Sequence, residues 1–361
     1  MTAVATASST LHLTGPDTTA AQRERMEFFR AGPASAVRAL PPERSPIAER
    51  LADWSDPGRL ARIVADADVI HLWTRIHLPA IARQGEARGR FGARGPTLIL
   101  HVDSTVHLRD NVRLYFDVPR AGLRFACTSA VLRSAYEREG VAPEHLALIP
   151  EVAPQLPAGP DRATVRDALR IPAGAFAVLL APPLTRWSRT ALWGALMASK
   201  VHSHVRAIIY GSGNNANRLE RFVRSVGGDD WTVFVRSPAA WPALAYAADL
   251  GLHVAQESPP RWGLLTLLRA GVPVVARESA ETREVLPGDQ DALFVQSDAP
   301  PLVSATILRA IEEPASLPNV AAAAARRLAP FEPEPVRSAF ERGVLRLLGD
   351  LRDPGARSAG R

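Results

Sequence analysis

Two residue types are nearly missing from the 361-residue chain: Cys127 is its one cysteine and Lys200 its one lysine. A single thiol forms no internal disulfide and builds no Cys-based zinc cluster, which suits a reducing compartment. No apolar run reaches the ~20 residues that a bilayer-spanning helix needs. The opening MTAVATASSTLHL has neither the charged n-region nor the apolar h-region of a secretory signal, so the expectation is a cytoplasmic protein. The charge balance is 43 basic against 37 acidic residues, or +6. Almost all of the basic groups are arginines, and they are scattered. That is not the basic stripe of a nucleic-acid binder, and no nucleic-acid partner is expected. Attraction to anionic substrates, or peripheral contact with lipid headgroups, stays compatible with the charge. The Arg-for-Lys bias, with abundant Ala and Pro, reads as a GC-rich coding preference.

With 47% hydrophobic and 22% charged residues the composition is that of a globular protein, and the length fits two domains. Short apolar runs alternate with helical patterns, the signature of parallel α/β sheets. Strands are expected over residues 11–13, 36–40, 68–72, 97–102, 125–128 and 146–150. Helices are expected near 17–30, 56–66 and 130–138, the last capped by Ser129 and stopped by Gly140. The segment EVAPQLPAGPDRA lacks apolar periodicity and reads as a linker near residues 154–160. Alternation then restarts, with strands expected at 177–180, 205–210, 232–235, 250–254, 272–276 and 293–295. The fold class is therefore α/β, two Rossmann-like domains facing across a cleft. The expected boundaries are 1–155 for the first domain and 156–330 for the second. A C-terminal helix over 331–351 packs back on the first domain, and a disordered tail occupies 352–361.

Within LGLHVAQESPPRWGLLTLLRAGVPVV, Glu257 stands where a strand hands over to a helix N-terminus. Ligands of open α/β sheets bind beyond the carboxyl ends of the strands, and a helix N-terminus favours a phosphate. Gly211, Ser212 and Gly213 form a strand-to-helix turn where the main chain can approach a ligand, or where a tight turn simply needs glycine. Gly271 and Pro273 read as architectural, ending a helix and aiming the next strand. His71, inside an apolar strand, reads as a buried core histidine.

Six segments in register, from about residue 67 to 348, resemble the retaining glycosyltransferases of the GT-B fold, family 4 or group 1. They are Asp68-Val69-Ile70-His71, Phe125-Ala126-Cys127-Thr128-Ser129-Ala130, Leu148-Ile149-Pro150, Ile208-Ile209-Tyr210-Gly211-Ser212-Gly213, Ala247-Ala248-Asp249-Leu250 and Ala270-Gly271-Val272-Pro273-Val274-Val275-Ala276. The resemblance implies transfer of a sugar from a nucleotide-diphosphate donor to a hydroxyl acceptor, with retention and without a metal. No cofactor is implied, because the nucleotide sugar is a substrate. The pattern specifies no oligomer.

The same resemblance implies site residues. Two glutamates with seven residues between them are expected; Thr266 stands at the second place and Ser258 at the first, with Glu257 able to serve after a one-residue shift. The diphosphate grip of an Arg and a Lys is replaced by Pro183 and Ser188, with Arg186 and Arg189 in the same loop. His101 and Asp103, in His101-Val102-Asp103, stand near the place of an acceptor-side VHD-like turn, displaced by one residue. Glu284, in Arg283-Glu284-Val285, occupies the place of a PEVV segment, but the Gly-Gly loop before it is Ser279-Ala280-Glu281. Catalytic roles thus fall to Glu257, Asp103 and His101, and donor binding to Arg186, Arg189, Gly211, Ser212, Gly213, Thr266 and Glu284. The departures leave a second expectation, a catalytically weakened binding or scaffold protein on the same body. A sugar-nucleotide epimerase is a third, without a matching acid–base constellation.

Overall fold

The structure, a computed structural model, describes residues 10–14, 35–39, 69–72, 97–117, 122–156, 161–182, 184–185, 188–211, 213–236, 241–254 and 260–352. It divides into two compact units, Met1–Pro150 with Val336–Arg361, and Glu151–Pro335. The helices expected near 17–30 and 56–66, and the tail beyond 352, lie outside the described residues.

The first unit holds a parallel sheet in the order β2-β1-β3-β4-β5-β6. Its strands are β1 (Thr10–Thr14), β2 (Ser35–Ala39), β3 (Val69–Leu72), β4 (Thr97–Val102), β5 (Arg124–Cys127) and β6 (Leu146–Leu148). Every residue of β3, β4 and β5 is buried, as expected for central parallel strands covered on both faces. Helix α1 (Leu108–Asp117) follows β4, and α2 (Ala130–Arg138) follows β5. Ser129 caps α2, its hydroxyl accepting from the Leu132 N–H at 2.9 Å. Cys127 is fully buried between these layers, and burial pushes its thiol far up.

In the second unit a parallel sheet runs β12-β11-β10-β7-β8-β9. The strands are β7 (Phe176–Leu180), β8 (Val205–Tyr210), β9 (Thr232–Val235), β10 (Leu250–His253), β11 (Val274–Arg277) and β12 (Leu293–Val295). Counted from β7, this is the 3-2-1-4-5-6 order of the dinucleotide-binding fold, and its direction reverses between β7 and β10. The helices are α3 (Arg162–Ala168), α4 (Ser188–Val201), α5 (Gly213–Ser225), α6 (Trp241–Ala247), α7 (Trp262–Arg269), α8 (Ala280–Val285), α9 (Pro300–Glu312), α10 (Leu317–Ala325) and α11 (Pro333–Arg352). From Val336 onward α11 belongs to the first unit, where Phe340 stacks on His71 at 5.9 Å and Gly343 lies against Ile149. Strand β11 begins later than the sequence pattern suggests. Gly271 (φ 70°) ends α7, and Pro273 has no N–H for the ladder, so pairing starts with Val274.

Asp249 ties the amino ends of the two central strands together. Its carboxylate accepts from the Ala177 N–H at 2.7 Å and from the guanidinium groups of Arg162 and Arg166. Arg166, its side chain 7% exposed, also donates to the carbonyls of Ala247, Ala173 and Ala175. The Ala-Asp pair in front of β10 is thus a staple between α3, β7 and β10. A neutral amide at this position leaves a buried guanidinium without its counter-charge. Asp249→Asn is expected to lower unfolding stability by about 2–3 kcal/mol, read from the urea midpoint. The staple lies at the end of the sheet away from the ligand side, so ligand binding by the folded variant should not change.

Candidate functional site

The carboxyl ends of β7 and β10 mark the switch point of the second unit, where the loops after these strands leave in opposite directions. Among the described residues a backbone contact joins the two sides. A Cβ built on Gly263 would lie 2.0 Å from the Pro182 carbonyl oxygen, so the first turn of α7 rests directly on the loop after β7. Trp262 and the segment through Leu268 are buried beneath it.

The loop after β7 is closed from within. The Thr185 N–H donates to Ser188 Oγ at 2.9 Å, and the Ser188 N–H to the Thr185 carbonyl at 3.2 Å. Ser188, which stands in place of a lysine in the resemblance, is therefore buried at the start of α4, its hydroxyl bonded back to the loop. Asn215 on α5 donates to the Leu184 carbonyl at 2.8 Å, and Leu184 packs on Gly211, which has φ 151°. Gly211 thus faces this loop at the end of β8, and Gly213 opens α5. Arg189 is exposed on the first turn of α4. Arg186, Pro183, Ser212, Glu257 and Ser258 lie outside the described residues.

Thr266 is fully buried, and its hydroxyl is committed within the protein. It accepts from the Trp241 indole N–H at 3.1 Å and donates to the Trp262 carbonyl at 2.7 Å. The Thr266 hydroxyl therefore links α6 and α7. Trp241 also packs against Tyr210 at 5.1 Å and edge-on against Trp262 at 5.3 Å, an aromatic row near the strand ends. Burial raises the Tyr210 phenol.

Glu284 Oε2 accepts from Arg261 Nη2 at 2.9 Å. Arg261 precedes α7, and its side chain is 6% exposed against 27% for Glu284. At the end of β10, burial and then the Arg261 charge lower the His253 pKa to about 4. The loop after β11, where the resemblance places two glycines, is sealed by side chains. Ser279 caps α8 by accepting from the Thr282 N–H, and Glu278 accepts from Arg283 and Gln296. The hydrogen bonds from Arg283 and Gln296 hold the Glu278 carboxyl below its usual range, and Arg283 lies 3.8 Å over the Phe294 ring.

His101 and Asp103 belong to the first unit. His101 is 6% exposed within β4, its ring 5.7 Å from that of His71, and Asp103 follows the strand end, half-buried. Arg261, His253 and Trp241 carried no motif in the sequence. The available signals were a charge directly before an apolar helix and a histidine closing an apolar strand.

Comparison with solved structures gives the architecture a name. The chain is similar to Anabaena HepE, in a crystal structure with UDP and glucose, with a TM-score of 0.73 and 17% identity over 93% of this chain and 99% of that one. It is also similar to WaaG, a glycosyltransferase involved in lipopolysaccharide biosynthesis (TM-score 0.68, 13% identity, 92% and 99% covered). A glycosyltransferase from Rickettsia africae matches with a TM-score of 0.68 and 10% identity over 94% of this chain and 98% of that one. The fold is GT-B. No protein-family profile matches the chain, and no curated protein matches its sequence. The likeness at these identities is one of architecture, in which the second unit corresponds to a Rossmann-like domain of the GT-B body. Among the described residues no helix is long and apolar enough to cross a membrane.

Two outcomes follow from this geometry. The folded chain keeps His253 neutral to about pH 4, whereas an unfolded histidine takes up its proton near 6.5. Between these values the unfolded state binds more protons, so stability falls as pH drops from 6.5 to 4, by about 3 kcal/mol from this residue. His253→Gln is expected to flatten that slope in urea unfolding measured across the window. Thr266→Val keeps the shape but leaves the Trp241 N–H buried without its acceptor, and it should cost about 1–3 kcal/mol by thermal unfolding.

Proposed function

We propose that the chain is a glycosyltransferase that passes a sugar from a nucleotide-diphosphate donor to a hydroxyl acceptor. The observation that carries this reading is the switch point of the second unit, where the loops after β7 and β10 are locked together at Gly263 and Pro182. Around it the chain keeps a body that covers 99% of HepE, a protein whose structure holds UDP and glucose. In this reading the leaving diphosphate is stabilised by arginine and main-chain N–H groups, without a metal and with retention at the anomeric carbon. Arg186 and Arg189 serve the diphosphate, and Glu257 orients the donor sugar. His101 and Asp103 serve the acceptor side.

A second reading, a catalytically weakened binding or scaffold protein, is favoured by the Thr266–Trp241 hydrogen bond, which commits position 266 to packing. Titration with UDP, GDP and their sugar conjugates, followed by calorimetry and thermal shift, separates the two. A transferase is expected to bind at least one nucleoside diphosphate at about millimolar concentration or below and to melt at a higher temperature through mass action. It is then expected to release free nucleotide when supplied with its donor and an acceptor. Binding without turnover supports the scaffold. No binding of any nucleoside diphosphate sinks the donor-based reading.

A further inference from the structure

We propose that Arg261 and the indole N–H of Trp262 form the phosphoanion grip of the second unit, with Glu284 as the positioning residue that holds the guanidinium. The proposal rests on the donor reading above and adds two residues from the start of α7 to the loop arginines that serve the diphosphate there.

Two buried arginines of this unit show what an internal guanidinium needs. Arg166 and Arg261 are 6% and 5% exposed. Arg166 donates to three main-chain carbonyls and to Asp249, so its fork is consumed by the fold. For Arg261, one bond is made among the described residues, from Nη2 to Glu284. A guanidinium carries five donors, and this bond uses only part of them. In the next residue of the chain, Trp262 (6% exposed), the Nε1 meets no acceptor among the described residues. Consecutive residues at the start of α7 thus carry a cation and a neutral donor with unused capacity.

That place is fixed by its neighbours. Gly263 seats the following turn on the Pro182 carbonyl at the switch point. The Arg261 charge reaches His253 at the end of β10, and Glu284 approaches from α8. A planar fork with one edge pinned by a carboxylate presents its other edge to an anion with several oxygens, the geometry of paired phosphate contacts. Glu284 contributes no charge that attracts such a ligand. Its part is to keep the fork in one orientation.

Calorimetry on the full chain with UDP, uridine and inorganic pyrophosphate tests this. Arg261→Ala is expected to weaken UDP and pyrophosphate about tenfold or more and to leave uridine unchanged, because only the phosphate contacts are lost. Arg261→Lys should fall between, as a point charge replaces the fork. Trp262→Phe keeps the ring, removes the N–H and should cost about two- to threefold for the same two ligands. A general disturbance of the fold would weaken uridine as well, and that pattern overturns the proposal. So does a chain that binds UDP or pyrophosphate with both Arg261 variants within about twofold of wild type. If Arg261→Ala fails to fold by its melting curve, the Arg261→Lys comparison decides alone. Pyrophosphate binding that depends on Arg261, in a chain that binds no nucleoside diphosphate, keeps the anion grip and removes the donor reading. A chain that binds neither removes both.

Discussion

The seating of α7 on the Pro182 carbonyl is the constraint on which the ligand side of the second unit depends. It is a contact between main chains, with no side chain that can rotate away, and it exists because residue 263 lacks a Cβ. Once that turn is placed, the neighbouring groups have little choice. Trp262 is driven under the helix against Trp241, Thr266 receives the Trp241 N–H, and Arg261 is carried over the end of β10 toward α8. Backbone proximity thus sets the positions, and the hydrogen bonds satisfy the polar groups that it buries.

The two ends of this sheet manage buried charge differently. At the amino ends, Asp249 neutralises two arginines, and main-chain carbonyls absorb the remaining donors of Arg166. Such a network, with four bonds from Arg166, stabilises the fold. At the carboxyl ends, Arg261 meets one carboxylate among the described residues, whose own side chain is 27% exposed, and the indole N–H of the following residue meets no acceptor among them. An incomplete set of partners is costly in a purely structural cluster. Its position at the end where open α/β sheets receive ligands gives the cost a use.

The strands were legible because parallel strands covered on both faces appear as continuous apolar runs, and VIHL, TLILHV and VRAIIY are such runs. Caps were legible for a similar local reason, as Ser129 shows. The candidate site was legible only in outline. Local pattern found the turn at Gly211 and the helix that begins at Trp262. It gave no sign that Thr266 would meet Trp241, 25 residues earlier, or that Glu284 would meet Arg261, 23 residues earlier. Such pairs are decided by how helices cross over the sheet, which period and propensity do not encode. The shift of β11 is different in kind, since Pro273 and its missing N–H were visible but were read as part of the strand.

The departures from the family resemblance share one chemical direction. Ser188 stands where a lysine was expected and Thr266 where a glutamate was expected, and both are short hydroxyls whose bonds are made inside the unit. In the loop after β11, Ser279 takes the place of backbone freedom with a cap. Each exchange removes a long charged group, or a flexible turn, from the ligand side and converts it into packing. A site that gives up charge at these points still needs a cation if it is to hold a phosphoanion in competition with water. Arg261 supplies one from the other side of the switch point, in a setting that lowers the effective dielectric around it and so strengthens its pull on an anion relative to a solvated loop arginine.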